Sequence, residues 1–165
     1  MNKKISTKEI CLLPLLGVIM FVLKVVMADL PNIEPVTLLI IIYTLNYKRK
    51  AAWSILIYVI LEMLVYGVSI YSAAYFYIWC FLMAMVLLFR KHKSALFWAI
   101  FSAAFGFLFG ALYIPIYLVT SGLETAIAWW LAGISFDLLH AAGNFILTLL
   151  LFVPLDRLFE KLKMS

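Results

Sequence analysis

The chain has 165 residues, of which 67% are apolar and only 13% charged, with a net charge of +5. Its mean hydropathy is +1.12, and a water-soluble fold of this size has too little interior to hide that much apolar surface. A soluble enzyme, a disordered tail and a nucleic-acid-binding domain are thereby excluded, which leaves an all-α integral membrane protein of one domain, 1–165.

A basic start with Lys3, Lys4 and Lys8 leads into the first apolar run, 10–28. It resembles a signal peptide at its basic end, but it is too long for one and no A-x-A cleavage site follows, so it is read as a spanning helix. A polar break, 29–34, follows, with Pro31 and Pro35 in or beside it. The second helix, 35–47, is only about 19 Å long and cannot alone cross a hydrocarbon core of about 30 Å. The break before it is expected to dip into the protein, where irregular backbone is shielded from lipid. Lys48-Arg49-Lys50 ends that helix, and the third runs over 51–67. The fourth covers 72–89 and ends at Arg90-Lys91-His92-Lys93. The fifth covers 94–119, with Pro115 kinking its far end. After a polar stretch, 120–125, the sixth helix covers 126–153 and Pro154 is expected to stop it. A short amphipathic, basic tail closes the chain. Cys11 and Cys80 lie inside apolar runs and read as small hydrophobes.

The charges sort by side. Twelve of the 13 Lys and Arg residues lie before the first helix, at 48–50, at 90–93 and in the tail. Six helices put those four segments on one face, which the positive-inside rule makes cytoplasmic, with both termini inside. The opposite breaks hold Asp29, Glu34 and Glu124 and no base. The expected location is a prokaryotic plasma membrane, crossed several times.

The thirteenth base, Lys24, is inside the first helix, Glu62 is inside the third, and Asp137, His140 and Asn144 are inside the sixth. An ionisable group within a span is costly and by default functional. Counted from the basic end of each helix, Lys24, Glu62, Asp137 and His140 lie at depths of about 22, 18, 25 and 21 Å, one layer in the outer half of the bilayer. Asp137, His140 and Asn144 share a face by their i, i+3 and i, i+4 spacings. They present an acceptor, an imidazole and an amide to a ligand or to a neighbouring helix.

Plainer roles stand beside these. Lys24 snorkels to the outer interface, or Glu62 is its buried partner. Asp137, His140 and Asn144 bond neighbouring helices. Trp129 and Trp130 are an interfacial anchor or a ligand-stacking wall. Ser102, Gly106 and Gly110 step by four and suit close helix packing, and the Tyr and Phe residues of the third to fifth helices read mostly as core or belt. Catalysis finds no footing. There is no G-x-S-x-G, H-E-x-x-H, C-x-x-C or Walker motif, and Ser135, five residues from His140 on the same helix, is badly placed for attack. The chain reads as no enzyme, and any uphill transport draws its energy from a partner or an ion gradient.

Two segments carry a family resemblance. Residues 28–39 read ADLPNIEPVTLL and residues 132–145 read AGISFDLLHAAGNF. Together with length, topology and loop charge, they resemble the substrate-binding S components of energy-coupling-factor (ECF) vitamin transporters. The resemblance implies a six-helix bundle with an outward-facing pocket for a vitamin or related micronutrient, and no cofactor bound by this chain. It implies docking on a transmembrane coupling subunit and two ABC ATPase subunits that use ATP, and toppling of the bundle to deliver its cargo. Carried over, Pro31, Asn32 and Glu34 belong to a cap over the ligand. Asp137, His140 and Asn144 face the ligand, with Trp129 or Trp130 as a stacking wall, and Lys24 and Glu62 join the substrate-binding set. Members often carry Ala-x-x-x-Ala on the first helix for docking, whereas this chain has Gly17 and then Phe21. The Met-His start of metal-binding relatives is missing from Met1-Asn2-Lys3, which argues against a metal substrate. The mix of groups suits a nitrogenous, partly aromatic ligand of cobalamin-like or pyrimidine type. The rival readings are a rod-shape-determining structural protein, a small ion-coupled carrier and an intramembrane enzyme.

Overall fold

The computed structural model describes residues 6–30 and 33–164, and among these every regular element is helical. In chain order they are α1 (Thr7–Val26), α2 (Val36–Tyr47), α3 (Ala52–Tyr66), α4 (Ile70–Phe89), α5 (Ala95–Leu108), α6 (Ile114–Ser121) and α7 (Leu123–Met164). Short 3-10 turns at Lys48–Ala51 and Ala111–Tyr113 join α2 to α3 and α5 to α6.

Helix ends follow local chemistry. α1 begins before the apolar run because Ser6 and Glu9 form a capping box: the Glu9 amide donates to Ser6 Oγ and the Ser6 amide to the Glu9 carboxylate. Ser69 and Ser94 accept from the first-turn amides of α4 and α5. α3 and α6 end at Gly67 and Gly122, whose φ angles of 84° and 86° a side chain would strain.

The second helix is the centre of the molecule. Eleven of the 12 residues of α2 are buried, as expected of a helix that is apolar all round. α1, α4, α5 and α7 pack against it, while α3 packs on α1 and α4. The outward faces of the surrounding helices are apolar as well, with Leu64, Val119 and Leu150 well exposed. An interior and an exterior that are both apolar are compatible with insertion in a membrane. Three helical stretches, Thr7–Val26, Ile70–Phe89 and Leu123–Leu162, are long and apolar enough to cross one, and the bent α5–α6 pair makes four.

The third helix, expected over 51–67, is α3; its 15 residues span about 22 Å, so it joins α2 in falling short of a bilayer core of about 30 Å. Two sequence expectations are corrected. The kink in the fifth helix lies upstream of Pro115. The chain bends by 51° between α5 and the segment Ala111–Ser121, and Pro115 sits in the first turn of α6, where its missing N–H is not needed. Finally, Pro154 does not stop the last helix, since α7 continues to Met164. The tail is held helical by tertiary contacts that outweigh one lost backbone bond. Phe159 is buried against the rings of Tyr43 and Tyr47. Asn46 donates to the Asp156 carboxylate at 3.0 Å, and Lys8 donates to the Leu162 carbonyl at 2.6 Å.

Candidate functional site

At the end of the bundle opposite the basic loops, α1 and α3 bring Lys24 and Glu62 together. Lys24 Nζ donates to Glu62 Oε2 at 2.6 Å and lies 3.4 Å from the Tyr75 hydroxyl. The rings of Tyr75, Tyr66 and Tyr58 surround the ammonium at 5.1, 5.8 and 5.9 Å, distances at which a ring face attracts a cation. Of the two roles open to Lys24, the geometry is that of the paired one, not that of a side chain reaching for the interface.

The described end of the connection between α1 and α2 brings Glu34 inward. Glu34, just before α2, places Oε1 3.9 Å from Nε2 of His140 on α7. Glu34 lies outside the helices, and burial holds its carboxyl above the ordinary carboxylate range, at about 7, against the opposing pull of the Lys24 charge. His140 is buried, with the Phe109 ring edge-on to it at 4.9 Å. Pro31 and Asn32, assigned to the cap, lie outside the described residues.

Asp137 and Asn144 share the His140 face of α7, but their bonds run to the turn after α5 and to α5 itself. At the α5–α6 bend the helix tightens, and the Phe109 amide bonds to the Gly106 carbonyl. The Gly110 amide is left over, and Asp137 Oδ1 accepts from it at 3.0 Å. About two turns away, Asn144 Nδ2 donates to the Ser102 carbonyl at 3.2 Å. Glycine at 106 and 110 is what lets these contacts form. A Cβ at 106 would press on Asn144 and the α7 backbone, and one at 110 would collide with the Asp137 carboxylate. The small-residue stripe of α5 is thus a packing surface for α7. In the same way Gly17 of α1 lies against Ser54 and Ile57 of α3, so its face is already covered.

An aromatic run links the outer surface to the layer. Trp129 stacks on Tyr117 at 4.8 Å and meets Tyr113 at 5.2 Å. Tyr113 meets Phe109, which touches His140. Trp130 is half-buried and has no ring contact among the described residues. Within the layer Glu62 Oε1, Asp137 Oδ2, His140 Nε2, the Tyr58 hydroxyl and Trp79 Nε1 are buried with no hydrogen-bond partner among the described residues. Such atoms are uncommon in a finished core, and together they offer acceptors, donors and ring faces to a polar, partly aromatic molecule.

The tyrosines of the cage were read from sequence as mostly core or belt, and Trp79 was given no role. A signal was present: Tyr71, Tyr75 and Trp79 recur every fourth residue of α4, and Tyr58 shares a face of α3 with Glu62. No group of three His, Cys, Asp or Glu side chains among the described residues is placed to hold a metal ion. Comparison with protein-family models, with curated proteins and with solved structures found no match to this chain.

Proposed function

We propose that this protein is the substrate-binding S component of an ECF-type importer, a six-helix membrane subunit with both termini in the cytoplasm. It captures a vitamin or related small organic micronutrient from outside the plasma membrane. A transmembrane coupling subunit and two ABC ATPase subunits then drive its delivery. One observation carries the reading. Lys24, Glu62, Glu34 and His140 converge from two helices, a connection and a third helix into one buried layer, and several of its polar atoms are left without partners. A purely structural bundle has little use for such a layer, since each unpartnered buried group costs about 1–3 kcal/mol.

The inward turn of Glu34 supports a cap formed by the 27–35 connection. Asp137 and Asn144 serve chiefly to hold α5 against α7, and the buried Asp137 Oδ2 has no hydrogen-bond partner among the described residues. The acceptors and rings of the layer favour a nitrogenous ligand with aromatic character, of the cobalamin-like or pyrimidine type. Docking on the coupling subunit uses a face other than that of Gly17.

The test is ligand capture. Purified protein is screened against a vitamin panel by thermal shift, and any molecule retained through purification is identified by mass spectrometry. The expected result is tight binding of one vitamin without ATP, together with co-purification of the coupling module. Binding to no member of the panel, with no coupling module recovered, refutes the proposal.

A further inference from the structure

A cleft of about 1220 Å³ lies at the end opposite the polar layer, between the start of α1, the α2–α3 turn and the end of α4. Its rim carries Lys8, Lys48, Arg49, Lys50 and Arg90, and the single acid facing them is Glu9. That acid is already engaged, because Lys50 Nζ lies 2.7 Å from both Glu9 oxygens. Lys8 is held by the Leu162 carbonyl. Lys48, Arg49 and Arg90 have no anionic partner among the described residues. Lys48 also has a φ of 56°, the one non-glycine residue with positive φ among those described, and such strain tends to gather at functional sites. One wall of the cleft is apolar, built from Leu12, Ala84, Leu87 and Leu88, and Leu88 is 71% exposed on the outer surface of α4.

We propose that this cleft binds the phosphate headgroup of an anionic phospholipid. Lys48, Arg49 and Arg90 take the phosphate, and an acyl chain lies along Leu87 and Leu88. A free anion has no use for the apolar wall, whereas a basic pocket between membrane helices beside lipid-facing leucines fits a headgroup with its chain attached. The inference is independent of what the polar layer binds.

The experiment uses the full chain, stripped of lipid in neutral detergent, with native mass spectrometry as the readout. Phosphatidylglycerol is expected to form a one-to-one adduct that phosphatidylcholine does not form. Arg49→Gln combined with Arg90→Gln is expected to weaken that adduct by about tenfold or more. Lys91→Gln with Lys93→Gln removes two bases at the same end but outside the cleft, and is expected to leave it unchanged. Equal loss in both double variants would mean diffuse surface charge, and equal binding of phosphatidylcholine would remove the phosphate specificity; either overturns the proposal. Displacement of the lipid by millimolar inorganic phosphate would overturn it in favour of a free anion. Should the Arg49/Arg90 variant fail to fold, a photo-activatable phosphatidylglycerol on the unaltered protein decides the matter. Cross-links at 84–90 support the site, and cross-links confined to other segments refute it.

Discussion

Separating Lys24 from Glu62 tests the physical basis of the polar layer. The pair is 2.6 Å long, and only 24% and 6% of the two side chains are exposed. At an effective dielectric of about 20, unit charges at that distance attract by about 6 kcal/mol. Desolvation costs several kcal/mol for each ion, so the intact pair contributes little net stability. Removing one partner is a different matter, because the other is left buried and uncompensated, at a cost of about 3–5 kcal/mol. Lys24 retains some access to water, which places Lys24→Met and Glu62→Leu near the lower end, about 3 kcal/mol each. For a chain of this length that lowers Tm by about 6–12 °C. The double variant, with no charge left to strand, is expected to lose less than either single one. The assay is thermal unfolding of the four proteins in one mild detergent. Singles that are each close to neutral, or a double variant equal to their sum, would show that the two groups are solvated separately and would refute the argument.

Four further outcomes follow from the geometry. Gly110→Ala should lower stability by about 1–3 kcal/mol in the same assay, because its Cβ meets the Asp137 carboxylate; Asp137→Asn, which still accepts from the Gly110 amide, should cost less than Asp137→Leu. Phe159→Ala should cost about 3–5 kcal/mol, since the ring is buried on Tyr43 and Tyr47, whereas a detached tail would leave Tm unchanged. Glu34 has a carboxyl raised from 4.5 to about 7, so the folded state binds the proton more tightly than the unfolded chain. Its destabilising contribution is absent below about pH 4.5, grows as pH rises, and is complete above about pH 7, at roughly 3 kcal/mol. Tm of the unaltered protein should fall across that window and Glu34→Gln should flatten the fall; identical pH profiles would be evidence against a desolvated Glu34 carboxyl. Once a vitamin ligand is in hand, His140→Ala and Trp129→Ala should each weaken it at least tenfold by calorimetry, and Trp130→Ala should have little effect.

Much was legible without a structure because it depends on neighbours along the chain. Apolar runs marked the helices, and the short length of residues 35–47 pointed to a break before them that dips into the protein, from whose end Glu34 reaches His140. Depth counting from the basic ends put Lys24, Glu62 and His140 in one layer, since rise per residue is nearly constant in a helix. The step of four through Ser102, Gly106 and Gly110 announced a close helix contact. Glu62 as a buried partner of Lys24 was one of two open readings, because a sequence counts depth but not rotation about the helix axis relative to another helix.

That missing rotation separates what the sequence determined from what the tertiary structure decided. Sequence alone pointed to apolar helices compatible with a membrane, and determined the end of the molecule that holds the bases and the few polar groups inside the helices, all of which follow from composition and local periodicity. Tertiary packing decided which of those groups meet. It turned Asp137 and Asn144 toward the backbone of α5 and the turn after it, because the bend after Phe109 left an amide to satisfy. It brought Glu34 to His140 and three tyrosines around Lys24. It carried α7 past Pro154, because burying Phe159 outweighs the one backbone bond a proline removes.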